Sequence, residues 1–234
     1  MESILVALLP GQVEYPAGLR LQKELLHLRQ QNKVGDILLL LEHPPVLTLG
    51  KNADDSHILY APAFLEAQGI KVYKADRGGD VTYHGPGQIV GYPIIHLREN
   101  GLSVRKYVWL LEQVFIDLLD QEYSLAAYRD PDYPGVWLNK EKITAIGCAV
   151  KKWVTLHGFA FNVNTNLEHF KVINPCGIMD RGVTSLQKIF GCPVELEAIK
   201  QLIIKHFCRC FGKEAKMITE QELQKLMGDG AVVD

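Results

Sequence analysis

Seventeen consecutive residues, Arg77-Gly-Gly-Asp-Val-Thr-Tyr-His-Gly-Pro-Gly-Gln-Ile-Val-Gly-Tyr-Pro93, constrain this chain more than any other stretch. They hold five glycines, two prolines, one arginine and one histidine. Glycine reaches positive φ and lets a ligand approach the main chain closely. Proline fixes φ and removes a donor. A plain turn needs only two or three such residues. The stretch therefore reads either as an irregular hairpin with bulges or as a binding loop shaped by its Gly/Pro pattern, with Arg77 and His84 as its polar groups. Ile89 and Val90 lead it into an apolar segment ending at His96. It contains neither G-x-x-x-x-G-K-[ST] nor G-x-G-x-x-G, and the residues after Gly87 read as a strand, which disfavours a nucleotide cradle of either kind.

The rest of the chain alternates strand-like and helix-like segments. Ile4–Leu9, Asp36–Glu42, Val46–Leu49 and Ile70–Lys74 read as strands. Tyr15–Gln31 is an amphipathic helix, and Ala61–Ala67 is a short one closed by Gly69. Ser103 can cap a helix running to about Gln121. Ser124–Tyr128 reads as strand-like. Val136–Leu138, Lys142–Val150 and Trp153–Asn162 read as three successive antiparallel strands. Asn166–Phe170 is a helical turn, and Val183–Ile189 and Val194–Phe211 read as helices. Thr219-Glu-Gln-Glu222 opens a last helix with a capping box. No repeat or linker interrupts the 234 residues, so one α/β domain spanning 1–234 is the simplest organisation, and an apolar fraction of 47% suffices for its core.

A net charge of −2 gives no electrostatic pointer to nucleic acid. No apolar run approaches the length of a bilayer span, and the N-terminus lacks the basic region of a signal peptide. The five cysteines, an odd number without a C-x-x-C pair, point to reduced thiols and a cytoplasmic protein. Cys208 and Cys210 would face different sides of a helix, so neither they nor any histidine pair forms a metal site. No G-x-S-x-G supports a serine hydrolase.

Two residues stand out for chemistry beside the glycine-rich stretch. Cys176 lies between proline and glycine in Asn174-Pro-Cys-Gly177, a turn sequence able to expose a thiol. A thiol of ordinary pKa is only a few per cent ionised at neutral pH, and a nearby ammonium lowers that pKa. Lys142 is the candidate ammonium, against the alternative of an inert buried cysteine and a surface lysine. His84 reads as a pocket residue or a satisfied core histidine, His157 as a strand residue or an orienting one, and His43, before two prolines, as a loop residue.

Four blocks, in this order and spacing, resemble the lipoyl(octanoyl) transferase family: Arg77–Gln88 with Tyr92-Pro93-Ile94, Lys142-Ile-Thr-Ala-Ile-Gly147, His157-Gly-Phe-Ala160 and Ile173-Asn-Pro-Cys-Gly177. Glu42-His-Pro-Pro-Val-Leu-Thr-Leu-Gly50 resembles the family's first block, and the likeness runs from about Glu42 to Gly191. The resemblance implies a biotin/lipoate protein ligase catalytic-domain fold, α/β (α+β), with a mixed, largely antiparallel sheet and flanking helices. It implies transfer of an octanoyl group from octanoyl-acyl carrier protein to a lysine of lipoyl domains, those of the 2-oxoacid dehydrogenases and the glycine cleavage H protein, with no cofactor and no metal. Cys176 would be the acyl-thioester nucleophile and Lys142 would lower its pKa. Arg77, Gly78, Gly79, Asp80, Val81, Thr82, Tyr83 and His84, with Ala145, Ile146, Gly147, Gly158, Phe159 and Ala160, would bind the acyl substrate. Backbone amides near Gly78 or at Cys176–Gly177 are the expected oxyanion donors. An acidic carrier would need a basic docking patch, for which Arg98, Arg105, Lys106, Lys151 and Lys152 are candidates. Two alternatives remain open: an ATP-dependent lipoate or biotin ligase on the same fold, and a non-catalytic acyl-carrier binding module.

Overall fold

The structure is a computed structural model that describes residues 2–174 and 181–228. In chain order its elements are β1 (Glu2–Gln12), α1 (Tyr15–Gln30), β2 (Ile37–Glu42), β3 (Val46–Leu49), α2 (Pro62–Ala67), β4 (Lys71–Lys74), β5 (Val81–His84), β6 (Gln88–Ile94), α3 (Val104–Tyr123), β7 (Tyr128–Arg129), β8 (Gly135–Leu138), β9 (Glu141–Lys151), β10 (Val154–Asn162), β11 (Gly182–Val183), α4 (Leu186–Phe190), α5 (Leu196–Phe211), β12 (Lys213–Ile218) and α6 (Glu220–Met227). The large sheet runs β12-β1-β2-β6-β10-β9-β8-β7, with β11 added on β9. A small sheet runs β4-β3-β5. Pairing is parallel at β1 with β12 and β2, at β9 with β11, and at β3 with β4; the remaining pairs are antiparallel.

The unbroken apolar run of β2 fits its central place. Leu38 and Leu40 face a core shared with α3 and α5, whereas Ile37, Leu39 and Leu41 face one shared with α1. The same alternation runs along β6 and β10: Ile89, Phe159 and Phe161 join the first core, Val90, Tyr92 and Ala160 the second. The helices start where their caps stand. The Ser103 hydroxyl accepts from the Lys106 amide at 3.2 Å, and Thr219 and Glu222 complete the capping box.

Four local expectations are corrected. Ser124 is not in a strand: it closes α3 at φ 54°, and pairing begins only at Tyr128. Leu125-Ala-Ala127 reads as strand in sequence, but Leu125 turns back to bond the Leu119 carbonyl. Val183 belongs to β11, and the helix starts at Leu186 because Ser185 caps it. Trp153 is in the turn between β9 and β10, where it and Lys152 both have positive φ. The strand β12 was unforeseen, because Lys213-Glu-Ala-Lys-Met-Ile218 is mostly exposed and its pairing partner β1 is two hundred residues away.

Candidate active site

The glycine-rich stretch divides into three parts. Arg77–Asp80 is a loop, Val81–His84 is the edge strand β5 of the small sheet, and Gln88–Ile94 is β6 in the middle of the large one. The turn Gly85–Gly87 carries the chain from one sheet to the other. A cleft of about 930 Å³ opens between the two sheets. Arg77, Gly78, Gly79, Asp80, Val81, Thr82, His84, Ala145, Ile146, Gly147, Gly158, Phe159 and Ala160 all line it, and so does Lys142. Tyr83 does not. Its ring is fully buried in the core of the small sheet, with its hydroxyl 2.7 Å from His169 Nδ1, because strand alternation turns it away from its neighbours Thr82 and His84.

Cross-strand pairing explains the shape of the cleft floor. Ala145 lies opposite Ala160, and Gly147 opposite Gly158. Gly147 admits the Arg77–Gly78 loop, its Cβ position being 3.1 Å from the Gly78 carbonyl, and Gly158 admits the Gly91 carbonyl, at 2.3 Å from its Cβ position, whereas the Ala145–Ala160 pair leaves an apolar slot above β9 and β10. Ile146 and Phe159 contribute to its wall, but both pack towards the α3 core, Phe159 edge-on to Phe115 at 4.8 Å. Gly91 is what admits the Phe159 ring: a Cβ there would stand 2.0 Å from it.

Strict alternation along β9 would put Lys142 on the same side as Ile146 and Cys148, away from the slot. A β-bulge changes this. Opposite β8, Val136 pairs with Thr144 but Trp137 pairs with Lys142, so Ile143 is an extra residue and the side-chain parity flips. Ile143 is buried in the α3 core and Lys142 reaches the cleft. The lysine's Nζ donates to the Pro134 carbonyl at 3.2 Å and lies 4.8 Å from the Trp137 ring centre.

Cys176 lies outside the described residues. The described residues on either side of its segment, Asn174 and Arg181, both line the cleft. The Asn174 amide is anchored on the His57 carbonyl at 2.9 Å, and Val183 pairs with Lys142. Of the other cysteines, burial pushes the Cys148 thiol up to about 11, raises Cys208, and with the neighbouring Asp117 pushes Cys210 to about 11. None of these three is an activated nucleophile, although Cys148 lines the cleft. Gly78 is not an oxyanion donor, because its amide is already bonded to the Cys148 carbonyl at 3.0 Å.

The polar groups of the cleft are held by hydrogen bonds and ion pairs. Arg77 donates to the Thr48 carbonyl at 2.6 Å and to its hydroxyl at 2.9 Å, tying the loop to β3. Asp80 is paired with His57 Nδ1 at 2.7 Å, which raises the histidine's pKa. Gln88 Nε2 donates to the Tyr83 carbonyl and to Asn162 Oδ1, so its Oε1 accepts from His84 Nδ1–H at 2.8 Å. Burial pushes His84 down to about 3, so it is neutral and offers Nε2 as an acceptor. Burial also lowers His157, whose Nε2 sits 2.8 Å from Asp76. Burial opposes ionisation of Asp76, but its bonds to Lys151 and His157 hold it far below the usual carboxylate range.

Sequence reasoning missed several residues here. His43 stands in the loop between β2 and β3, as expected, but it is fully buried, with Nδ1 2.5 Å from the Val13 carbonyl and Nε2 2.6 Å from the Tyr92 hydroxyl. Tyr15 and Tyr92 line the cleft, and so do Tyr133, Trp137 and Arg181. Tyr92 and His43 stood inside recognised blocks. The other four carried no local signal. Of the basic docking candidates, Lys151 is paired with Asp76, Arg98 lies over exposed Trp153 at 4.4 Å, and Lys106 over exposed Trp109 at 3.7 Å. Among the described residues no cluster of ligands suits a metal ion, and no helix is long and apolar enough to cross a membrane.

The model of the lipoyl protein ligase A/B catalytic domain matches residues 14–208, and so includes every element that lines the cleft. The chain belongs to that family. Within the lipoyl protein ligase A/B family, a protein of Desulforamulus reducens named octanoyltransferase is 57% identical over 93% of this chain and 96% of its own length. One from Caldicellulosiruptor saccharolyticus, named likewise, is 53% identical over 92% of both. Among solved structures, lipoate-protein ligase A bound with ATP is similar over 99% of this chain and 96% of its own, with a TM-score of 0.75 at 17% identity. Biotin protein ligase from Aquifex aeolicus covers 91% of this chain, over 70% of its own length, at a TM-score of 0.52 and 14% identity. These likenesses establish the biotin/lipoate ligase fold expected from the resemblance, with its mixed, largely antiparallel sheet.

Proposed function

We propose that this chain, an octanoyltransferase, takes its octanoyl group from octanoyl-acyl carrier protein and delivers it through a Cys176 thioester to the lysine of apo lipoyl domains. The acceptors are the lipoyl domains of 2-oxoacid dehydrogenases and the glycine cleavage H protein. Work in the cytoplasm suits the odd cysteine count. The observation that carries the mechanism is the bulge at Ile143, which turns Lys142 into the cleft lined also by both flanks of the Cys176 segment.

The chemistry closes without a cofactor. As ammonium, Lys142 stabilises the Cys176 thiolate. The thiolate attacks the donor carbonyl, and the carrier's thiolate leaves with the proton of Lys142 Nζ. Cys176 then holds the octanoyl group, and Lys142 is neutral. The acceptor amine attacks the new thioester; the C–N bond forms, the C–S bond breaks, and the amine's proton passes to Lys142. Thiolate and ammonium are restored. The Ala145–Ala160 pair would seat the acyl chain and keep water from the thioester. The oxyanion donors fall to the Cys176–Gly177 amides, since that of Gly78 is engaged. Arg77, Asp80 and His84 act by holding the cleft's shape through Thr48, His57 and Gln88.

The test is transfer from octanoyl-carrier protein to apo lipoyl domain with ATP omitted. Undiminished transfer is expected. Transfer that requires ATP and free octanoate would assign the chain to the ligase chemistry instead.

A further inference from the structure

Helix α3 opens with Val104-Arg-Lys-Tyr-Val-Trp109 and carries no carboxylate before Glu112. Glu112 is turned inward, accepting from the Gly135 amide and pairing with Arg129. Arg105 and Lys106 are exposed, and neither forms an ion pair among the described residues. A helix start favours anions over cations, so the needs of the helix do not account for these two. Beside them stands the exposed ring of Trp109, with Lys106 Nζ 3.7 Å and Arg129 Cζ 4.3 Å from its centre. Arg129 also donates to the Trp109 carbonyl at 3.2 Å, which joins α3 and β7 into one surface. On β7 the exposed Tyr128 donates its hydroxyl to the Asn139 carbonyl, bringing the β8–β9 turn and its exposed Lys140 alongside. Trp, Tyr and Arg are the residues enriched where proteins dock.

This surface adjoins the cleft on two sides. Val108 lines the cleft, and Arg105, three residues before it, lies on the same face of α3. Tyr128 pairs with Trp137, and Trp137 with Lys142. Neighbouring strands lie about 4.8 Å apart, so the backbone of Tyr128 stands about 10 Å from that of Lys142.

We propose that the start of α3 and β7 form the docking surface for the acidic acyl carrier protein that brings the octanoyl group. The proposal rests on the carrier-bound donor put forward above. Charge is the first reason. The chain as a whole carries −2, so an acidic partner is attracted only by a local concentration of unpaired cations, which Arg105, Lys106 and Lys140 supply. The offset from the cleft is the second. The carrier holds its thioester at the end of a long arm that bears a phosphate. The arm spans the offset, and its phosphate is a further anion for Arg105 or Lys106. An acceptor lysine has only a four-carbon stem, so its domain has to sit over the mouth of the cleft itself.

The experiment compares the full chain as wild type, as the double variant Arg105→Glu/Lys106→Glu, and as Lys216→Glu, whose lysine is exposed on β12 at the opposite edge of the large sheet from β7. Apo lipoyl domain is the acceptor. The donors are octanoyl-acyl carrier protein and octanoyl-pantetheine, which carries the same thioester without the protein. The double variant should lose on the order of tenfold in kcat/KM with the carrier, through KM. It should match wild type with octanoyl-pantetheine and in KM for the lipoyl domain. Lys216→Glu should match wild type throughout. At about 1 M salt, where the Debye length is about 3 Å, wild type should fall towards the double variant. Carboxylates suit the start of a helix, so the double variant should keep or raise its melting temperature, which separates lost docking from lost structure. Calorimetric titration of the carrier against each protein should give the same order without turnover, and it decides if octanoyl-pantetheine reacts too slowly to compare. Equal losses with both donors, an unchanged KM for the carrier, or a loss shared by Lys216→Glu would overturn the proposal. A rise confined to KM for the lipoyl domain would assign the surface to the acceptor and overturn it too. Wild type that takes no octanoyl from the carrier would overturn the donor reading, and the proposal with it.

Discussion

Replacement of His43 should make the protein less sensitive to acid, although the residue touches no substrate. His43 is fully buried between α1 and β6. Its Nδ1–H donates to the Val13 carbonyl, which leaves Nε2 as the acceptor for the Tyr92 hydroxyl. Protonation of Nε2 would put two hydrogens between His43 and Tyr92, and burial pushes the histidine down to about 4. In the unfolded chain it titrates near 6.5. Between those two values the unfolded state binds the extra proton, so the stability tied to neutral His43 is complete above 6.5 and is lost as pH falls towards 4. Going from pH 7 to pH 5, that single linkage costs about 2 kcal/mol of unfolding free energy. Urea unfolding of wild type and His43→Gln at both pH values isolates it. The variant is expected to start less stable at pH 7, from the altered Val13 and Tyr92 bonds, and to lose about 2 kcal/mol less than wild type on going to pH 5. Equal losses in the two proteins would refute the assignment of His43 as a neutral buried acceptor.

Three further outcomes follow from the cleft. Lys142→Arg keeps a charge that cannot give up its proton, so it should retain part of the Cys176 alkylation and lose most transfer, whereas Lys142→Ala should lose both; equal pH profiles for the three proteins would separate Lys142 from Cys176. Ala145→Leu fills the slot opposite Ala160, and each methylene denied burial costs about 0.8 kcal/mol. Octanoyl should therefore lose roughly tenfold in kcat/KM relative to butanoyl if two methylenes are displaced, and an unchanged ratio would place the acyl chain elsewhere. Gly87→Ala should lower the melting temperature by several degrees, because its Cβ would stand 2.5 Å from the Asn164 carbonyl at φ 78°. Gly79→Ala shares the strain of a positive φ, 84°, but meets only the far end of Arg77 at 3.5 Å, so it should lose less stability than Gly87→Ala and lose octanoyl transfer first; equal melting temperatures for the two would contradict that division.

Much of this architecture was legible in the residues. The apolar run of β2, the capping serine of α3, the Thr219 capping box and the three strands after Gly135 all have local causes and stand close to where their patterns put them. What was not legible depends on partners far along the chain. β12 is an exposed edge whose only recommendation is pairing with β1. Gly87 reads as a loop glycine. Its carbonyl nevertheless accepts from Val163, Asn164 and Thr165, so it is a fold-bearing position rather than a substrate contact. In the cleft, the block Arg77–His84 has its own signature, yet alternation withdraws Tyr83 from it. Lys142 reaches the cleft only through a bulge whose register is set by β8, and Arg181 joins it through a ring on that same strand. Neither relation has any expression in the local sequence.

The central claim is a covalent octanoyl-enzyme on Cys176. It is tested most directly by the intact mass of the protein after brief exposure to octanoyl-acyl carrier protein without acceptor. The account predicts a gain of one octanoyl group, removed by hydroxylamine or by addition of apo lipoyl domain, mapped to the peptide containing Cys176 and absent from Cys176→Ser. Unmodified enzyme that still transfers octanoate, or a Cys176→Ser variant with near-normal turnover, would contradict it.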